Sequence, residues 1–256
     1  MTASNQAITD PCVVFALGRE SMYFRRAYPL RKRITGAPCR ARFCGSAEQT
    51  VLMLETGVGA AAMEAAVRWC LSEPRIGEAA YRPRLLLSLG FSGALQADLS
   101  VGALVLATEI VDGEGNCWPA LHPTHFTTHT IALGRLVTMP DPIGDPIEKQ
   151  RLGRQYQALA VDMESAVAAR LCHERHIPFA CIRAVSDDCD TALSPHLIAL
   201  LRRGRVSAMR LAALVVRHPS ALVELERLAR HTRTAAKNLL AARALLSALD
   251  RYYPGM

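Results

Sequence analysis

ALAVDMESAVAA, residues 158–169, passes from a strand into a helix and carries two acids, Asp162 and Glu164, at the junction. Ala158 to Val161 are apolar without alternation, as in a strand covered on both faces. From Ser165 onward the apolar residues fall at three- and four-residue steps, the period of an amphipathic helix. Carboxylates avoid such surroundings unless something partners them. Two readings of the pair stand side by side. Asp162 is an N-cap and Glu164 a first-turn acid favoured by the helix dipole, or both are ligand groups at the carboxyl edge of a sheet, where open α/β folds bind.

The same strand-to-helix alternation extends along the chain. CVVFAL, VLMLETG, RLLLSLG, ALVLATEIV and FACIRAV are short apolar runs closed by glycine or polar residues, and AAAMEAAVRWCL and ESAVAARLCHER are helical between them. That pattern predicts a three-layer α/β/α sandwich. The stretch from about Asp112 to Pro142, rich in Gly, Pro, His and Thr, is predicted to be the longest loop. After Pro195 the pattern is purely helical. Leu222, Leu225, Leu228, Thr232, Ala235, Leu239, Ala242, Leu246 and Leu249 predict one long amphipathic helix begun by Pro219-Ser220.

At 256 residues, half of them hydrophobic, the chain has enough apolar material for a sizeable core. No apolar stretch reaches the roughly 18 residues a membrane span needs, and no basic region precedes the first apolar run, so a soluble, cytoplasmic protein is expected. Eight scattered cysteines without C-x-x-C spacing suit a reducing compartment better than a disulfide framework. The formal charge of +7 is uneven: from Leu201 onward it is +8, and the remainder is −1. HPTHFTTH brings His122, His125 and His129 together, but with no carboxylate or cysteine at ligand spacing it reads as a polar loop, and no metal is expected.

CIRAVSDDCD, residues 181–190, repeats the acidic strand end: Arg183 within the strand, then Ser186, Asp187, Asp188 and Asp190. A capped, solvated loop is the plain alternative, and two acidic strand ends in one sheet favour a site. TGVGAAA, residues 56–62, formally satisfies G-x-G-x-x-A. The next strand lacks the acid that would bind a ribose of a dinucleotide, so Gly57 and Gly59 are read as tight-turn residues.

Taken in order, FALGRESM, TGVGAAA, LLLSLGFSGALQADLSVGALVLATEIV, AVDMESAVAA and RAVSDDCD resemble the nucleoside phosphorylase/nucleosidase superfamily, from about Val13 to Leu214. Within it, VDMESAVAARLCHERHIPFACIRAVSDDCDTALSP and the tail RHPSALVELERLARHTRTAAKNLLAARALL are similar to the hopanoid-associated nucleosidase branch, which removes adenine from adenosylhopane to leave ribosylhopane. The resemblance implies a nucleoside phosphorylase-like fold with a central mixed sheet, a catalytic domain over residues 11–215, and a basic helical extension of it over 216–256. It also implies cleavage of the N-glycosidic bond of an adenosine-type nucleoside. Such cleavage requires protonating a base that leaves poorly as an anion and holding a sugar that becomes oxocarbenium-like.

By motif position, Asp187 resembles the general acid that protonates adenine N7, oriented by Ser186, a role asking for a buried carboxyl that keeps its proton. Glu164 is similarly placed to the ribose-binding glutamate, Met163 to the residue packed on the sugar, Glu20 to the base that activates water, and Arg183 to an arginine near that water. Asp162 stands where the nucleosidase pattern usually has glutamate. Gly57, Gly90 and Phe91 are expected on the substrate side, Phe91 against a greasy 5′ substituent. Ser88 and Phe91 occupy positions where bacterial phosphorylases keep an arginine and a serine for phosphate, which favours water as nucleophile and no cofactor. Arg19, Arg25 and Arg26 keep phosphate open as a co-substrate.

The partners implied are a small nucleoside, lipid-linked in the hopanoid reading, and a second subunit in a homodimer. The basic tail adds peripheral contact with an inner membrane as an alternative to packing. Nucleic-acid binding is disfavoured, because the tail has no aromatic stacking residue before Tyr252.

Overall fold

A computed structural model describes residues 7–45, 49–123, 131–201 and 220–252. The strands in chain order are β1 (Cys12–Phe15), β2 (Leu30–Ile34), β3 (Arg40–Gly45), β4 (Thr50–Glu55), β5 (Arg75–Ile76), β6 (Ala79–Ala80), β7 (Leu86–Ala94), β8 (Leu104–Asp112), β9 (Cys117–Pro119), β10 (Ile131–Thr138), β11 (Ala158–Asp162) and β12 (Phe179–Asp187). The helices are α1 (Phe24–Ala27), α2 (Ala60–Leu71), α3 (Pro146–Tyr156), α4 (Ser165–Glu174), α5 (Pro195–Leu201), α6 (Ser220–Asn238) and α7 (Ala242–Tyr252). β5 and β6 form a separate hairpin, and the other strands make one mixed sheet in the order β11-β10-β8-β12-β7-β1-β4-β3-β2, with β9 added to β8.

The sheet is covered on both faces, as its unalternating runs require. Cys12, Val14, Leu52 and Leu54 pack with Met63, Val67 and Cys70 of α2 and Ala168 and Leu171 of α4. Their chain neighbours Val13, Phe15 and Met53 pack the other way, with Phe24 and Tyr28 of α1 and Leu245, Leu246 and Leu249 of α7. The predicted three layers are present. All eight cysteines are free and six are buried, where they act as small apolar fillers.

One pairing bends this sheet back on itself. β11 runs parallel to β10 on one side and antiparallel to β7 on the other, with Val161 opposite Gly93. Gly93 is also opposite Asp187 of β12. The carboxyl ends of β11 and β12 therefore flank one residue of β7. Before α2, Gly57 and Gly59 have φ of +100° and +94°, so the G-x-G spacing serves the tight turn the sequence suggested.

One expectation needs correction. Within the predicted loop 112–142 lies β10, eight residues long and paired with β8 and β11. Its pattern is broken by Gly134, where a Cβ would come within 2.6 Å of Leu159, and by Arg135, which pairs with Glu109 at 2.6 Å. The expected long C-terminal helix is present, as α6 and α7 joined without a gap by a 3-10 turn at Leu239–Ala241. Asn238 there donates to the Gly102 carbonyl at 2.8 Å, fastening the turn to the sheet edge. Among the described residues no helix is long and apolar enough to cross a membrane.

Leu246 is fully buried, whereas Leu222, on the same stripe, is 56% exposed. Leu246→Ala should cost about 2–4 kcal/mol in urea denaturation, and Leu222→Ala should stay within about 0.5 kcal/mol of the parent. Equal, small effects would mean that the tail does not belong to the core.

Candidate active site

At the carboxyl edge of β7, β11 and β12 the structure opens a cavity of about 210 Å³. Glu20, Asp162, Met163, Glu164, Ser186 and Asp187 line it, together with the apolar Phe91, Ile143, Leu193 and Leu228. Seven of the sequence-selected residues, Phe91 among them, thus share one space. Gly57, Gly90 and Arg183 do not line it, contrary to expectation; Gly90 and Arg183 lie behind Glu20 and Asp162.

Glu20 follows β1 and is held by two backbone donors: Leu17 N–H to Oε2 at 2.7 Å and Phe91 N–H to Oε1 at 2.9 Å. Burial raises its pKa, and those N–H groups and the Arg183 charge oppose the rise. Gly90 makes this placement feasible. A Cβ there would sit 2.9 Å from Glu20 Oε1 and 3.4 Å from an Arg183 nitrogen.

Arg183 spends its donors inside the protein. Nε reaches Asp162 Oδ2 at 2.8 Å, one terminal nitrogen reaches Ser88 and Ser165 hydroxyls at 2.9 and 2.7 Å, and the other reaches the Ile182 carbonyl at 3.1 Å. Asp162 also accepts from Thr138 and Ser165 hydroxyls at 2.7 and 2.5 Å and from the Ser165 N–H at 3.2 Å. Both readings of Asp162 have substance: it anchors the start of α4 and lies at the cavity floor, but its oxygens are taken by protein. A buried ion pair is tolerable only when its remaining hydrogen-bonding capacity is filled in this way.

Glu164 differs. Among the described residues its carboxylate has one hydrogen-bond partner, the Gly59 N–H, 2.7 Å from Oε1. Burial, followed by the Asp162 charge, raises its pKa to about 7, against the Gly59 hydrogen bond, which lowers it. The carboxylate is thus poised to change charge near neutrality, and its free lone pairs face the cavity.

Asp187 Oδ1 accepts from the Ser186 hydroxyl at 2.9 Å. Its other oxygen meets the ammonium of Lys149, from α3, at 2.5 Å. Sequence reasoning missed Lys149 altogether, since IEKQRLGRQY looks like a solvated helix. Yet Lys149 is fully buried. Gly93 leaves room for this pair, a Cβ there lying 3.0 Å from Asp187 Oδ2. Thr138 and Ser165, which complete the Asp162 network, also carried no sequence signal.

The comparisons with known proteins fit this layout. A family model, the phosphorylase superfamily, matches residues 12–130 and 119–218. The chain belongs to the phosphorylase superfamily. The 5′-methylthioadenosine/S-adenosylhomocysteine nucleosidase of Anoxybacillus flavithermus is 24% identical over 231 residues, covering 80% of this chain and 96% of that enzyme. The enzyme of the same name from Staphylococcus haemolyticus is 28% identical over 133 residues, 42% of this chain, and the match spans 58% of that enzyme's length. In structure, the chain is similar to the Neisseria meningitidis 5′-methylthioadenosine/S-adenosylhomocysteine nucleosidase solved with methylthio-immucillin-A. The TM-score is 0.69 at 18% identity, over 94% of this chain and 99% of that one. At that identity the likeness carries the fold, a nucleoside phosphorylase-like one as expected.

On this superfamily scaffold, Ser88 is the partner of Arg183 rather than a surface group. Of the arginines considered for phosphate, Arg19 lines the cavity, whereas Arg25 is drawn to Glu55 at 3.3 Å and to the Gly18 carbonyl at 3.4 Å. His125 and His129 lie outside the described residues, and His122 pairs with the Ala120 carbonyl at 2.9 Å. Among the described residues no group of three metal-ligating side chains occurs.

Glu164 makes stability depend on pH. An unfolded glutamate releases its proton near 4.5 and the folded one near 7, so stability is full below the lower value and falls as pH rises through the upper one. Glu164→Gln should therefore be no more stable than the parent at pH 4.5 and about 2–3 kcal/mol more stable at pH 8. Thermal melts at the two pH values check this. Equal melting temperatures at pH 8 would show that Glu164 ionises without penalty.

Proposed function

We propose that this protein cleaves the N-glycosidic bond of an adenosine-type nucleoside with water as nucleophile. The observation that carries the reading is that Glu20, Glu164 and Asp187 line one small cavity together with several apolar side chains. Asp187, oriented by Ser186, gives a proton to adenine N7. Glu164 in its charged form accepts the ribose hydroxyl hydrogens, bonds that strengthen as the sugar turns cationic. Glu20 takes the proton of the attacking water, and burial has already made it a better base than an exposed glutamate. Arg183 holds the floor under Glu20. Met163 packs on the sugar. The family relatives, named as nucleosidases for methylthioadenosine and S-adenosylhomocysteine, support the reaction class.

The finer proposal is adenosylhopane as substrate, split to adenine and ribosylhopane. Phe91, Ile143, Leu193 and Leu228 give the cavity an apolar flank suited to a hydrocarbon 5′ substituent. Leu228 and Thr232 come from α6, so residues 216–256 are proposed as an extension of the catalytic domain at 11–215. Homodimerisation, and contact of the basic helix with an anionic membrane that supplies the lipid, belong to the same proposal. A second reading, favoured by the relatives, is a methylthioadenosine/S-adenosylhomocysteine nucleosidase, whose substrates carry a small or polar 5′ group.

Adenine release from adenosylhopane, methylthioadenosine, S-adenosylhomocysteine and adenosine, measured with and without phosphate, distinguishes these. The hydrolytic proposal expects release independent of phosphate and a loss of at least about 100-fold in kcat for Asp187→Asn. Turnover of the small nucleosides with none of the lipid rejects the hopanoid assignment, and phosphate-dependent release rejects water as nucleophile.

A further inference from the structure

Lys149 is unusual in composition and in place. Only three of the chain's thirty lysine and arginine residues are lysines, Lys32, Lys149 and Lys237, yet a lysine is the cation paired with Asp187. Its side chain has no exposure, and all three ammonium hydrogens have acceptors: Asp187 Oδ2 at 2.5 Å, the Asp188 carbonyl at 2.8 Å and the Thr191 carbonyl at 3.3 Å. Arginine is the usual choice for a buried pair, because its planar fork satisfies a carboxylate at two points. What lysine offers instead is a proton it can give up.

We propose that Lys149 is a positioning and relay residue that loads Asp187 with the proton delivered to the purine. This rests on the nucleoside-cleavage reading above. In the resting site the pair is ammonium and carboxylate. When substrate expels water, two bare charges become more costly than an amine beside a carboxylic acid. An Nζ–H bond then breaks and an O–H bond forms on Asp187. The acid passes that hydrogen to N7 as the C1′–N9 bond breaks and its electron pair stays with the base. Water adds to C1′ and leaves its proton on Glu20. After adenine departs, Glu20 releases that proton to solvent, and one returns from solvent to Asp187, which lines the cavity, and on to Lys149, so charge and protons balance over a cycle.

The charged and titratable groups around the pair are compatible with this exchange. Asp188, Cys189 and Asp190 come from the segment after β12, and Asp188 is engaged by the Thr191 hydroxyl. Asp145 and Glu148 belong to the first turn of α3, where Asp145 caps Ile147 and Glu148 binds Arg151. Glu20 and Glu164 line the same cavity as Asp187. The Lys149 ammonium is the cation bonded to Asp187 among the described residues.

The experiment compares Lys149→Arg, Lys149→Met, Asp187→Asn and the Lys149→Arg/Asp187→Asn double variant, each checked for a native melt, on a nucleoside the parent turns over. A merely structural cation would be replaced by arginine, so Lys149→Arg would keep kcat within about threefold; that result overturns the proposal. The relay expects Lys149→Arg to lose at least about 30-fold in kcat with KM within threefold, because guanidinium does not release its proton. It also expects the double variant to be no slower than Asp187→Asn alone, as for residues acting as a unit; multiplied losses overturn it. Lys149→Met leaves a carboxylate bare and risks unfolding, in which case the arginine variant decides. A parent that releases no adenine from any nucleoside refutes the proposed function instead, and that outcome is separate from these.

Discussion

Gly93 is flanked by two strands that meet nowhere else in the sheet order. β12 lies against it in parallel, with Asp187 in register, and β11 lies against it antiparallel, with Val161 in register. Parallel strands deliver their carboxyl ends to one edge, and the added β11–β7 pairing folds that edge inward. Acids 25 positions apart in sequence, Asp162 and Asp187, thereby end at one cavity. The arrangement works only because β7 has no side chain at Gly93, where a Cβ would press on Asp187, or at Gly90, where it would press on Glu20. The two glycines of SLGFSGA are clearances for carboxylates, and this is the requirement on which the rest of the site depends.

Placing this much charge in a dry interior is unfavourable unless each charge is satisfied. The protein divides the charges by depth. Arg183 behind the wall and Asp162 at the cavity floor neutralise one another and fill their remaining capacity with Thr138, Ser165 and Ser88. At the wall, Glu164 has the Gly59 N–H as its one hydrogen-bond donor among the described residues, and burial, followed by the Asp162 charge, raises its pKa to about 7. An acceptor left underused in this way is a stability loss in the empty protein and a binding gain once hydroxyls arrive. The deeper network makes that affordable, because it holds α4 and β12 in place without drawing on the groups that face the ligand.

Much of this was legible in the sequence, for a physical reason. β11 and β12 are apolar on both faces, so a carboxylate ending such a strand stands out as an exception, and exceptions of that kind are where chemistry concentrates. The resemblance in VDMES and RAVSD then attached roles to residues already singled out. What stayed hidden was set by tertiary contacts. β10 was obscured because Gly134 yields to Leu159 and Arg135 answers Glu109, both long-range causes. LRKRI in β2 lacks an apolar face because it is an edge strand, its first four residues exposed. Lys149 sits in a charged helix whose neighbours Glu148 and Arg151 are solvated, and nothing local distinguishes the one turn that dips under the end of β12.

The tail shows how a single periodic stripe can serve two ends. Before the turn at Leu239–Ala241, α6 sends Leu228 and Thr232 to the cavity and is fixed at its start by Glu224, which accepts from the Ser194 N–H at 2.7 Å. After the turn, Leu245, Leu246 and Leu249 of α7 cover the sheet. The 3-10 turn between them is pinned by the hydrogen bond from Asn238 to Gly102. The stripe read from sequence as a uniform packing face is therefore divided by position: its first half shapes what the cavity can admit, and its second half supplies the core that holds the first in place.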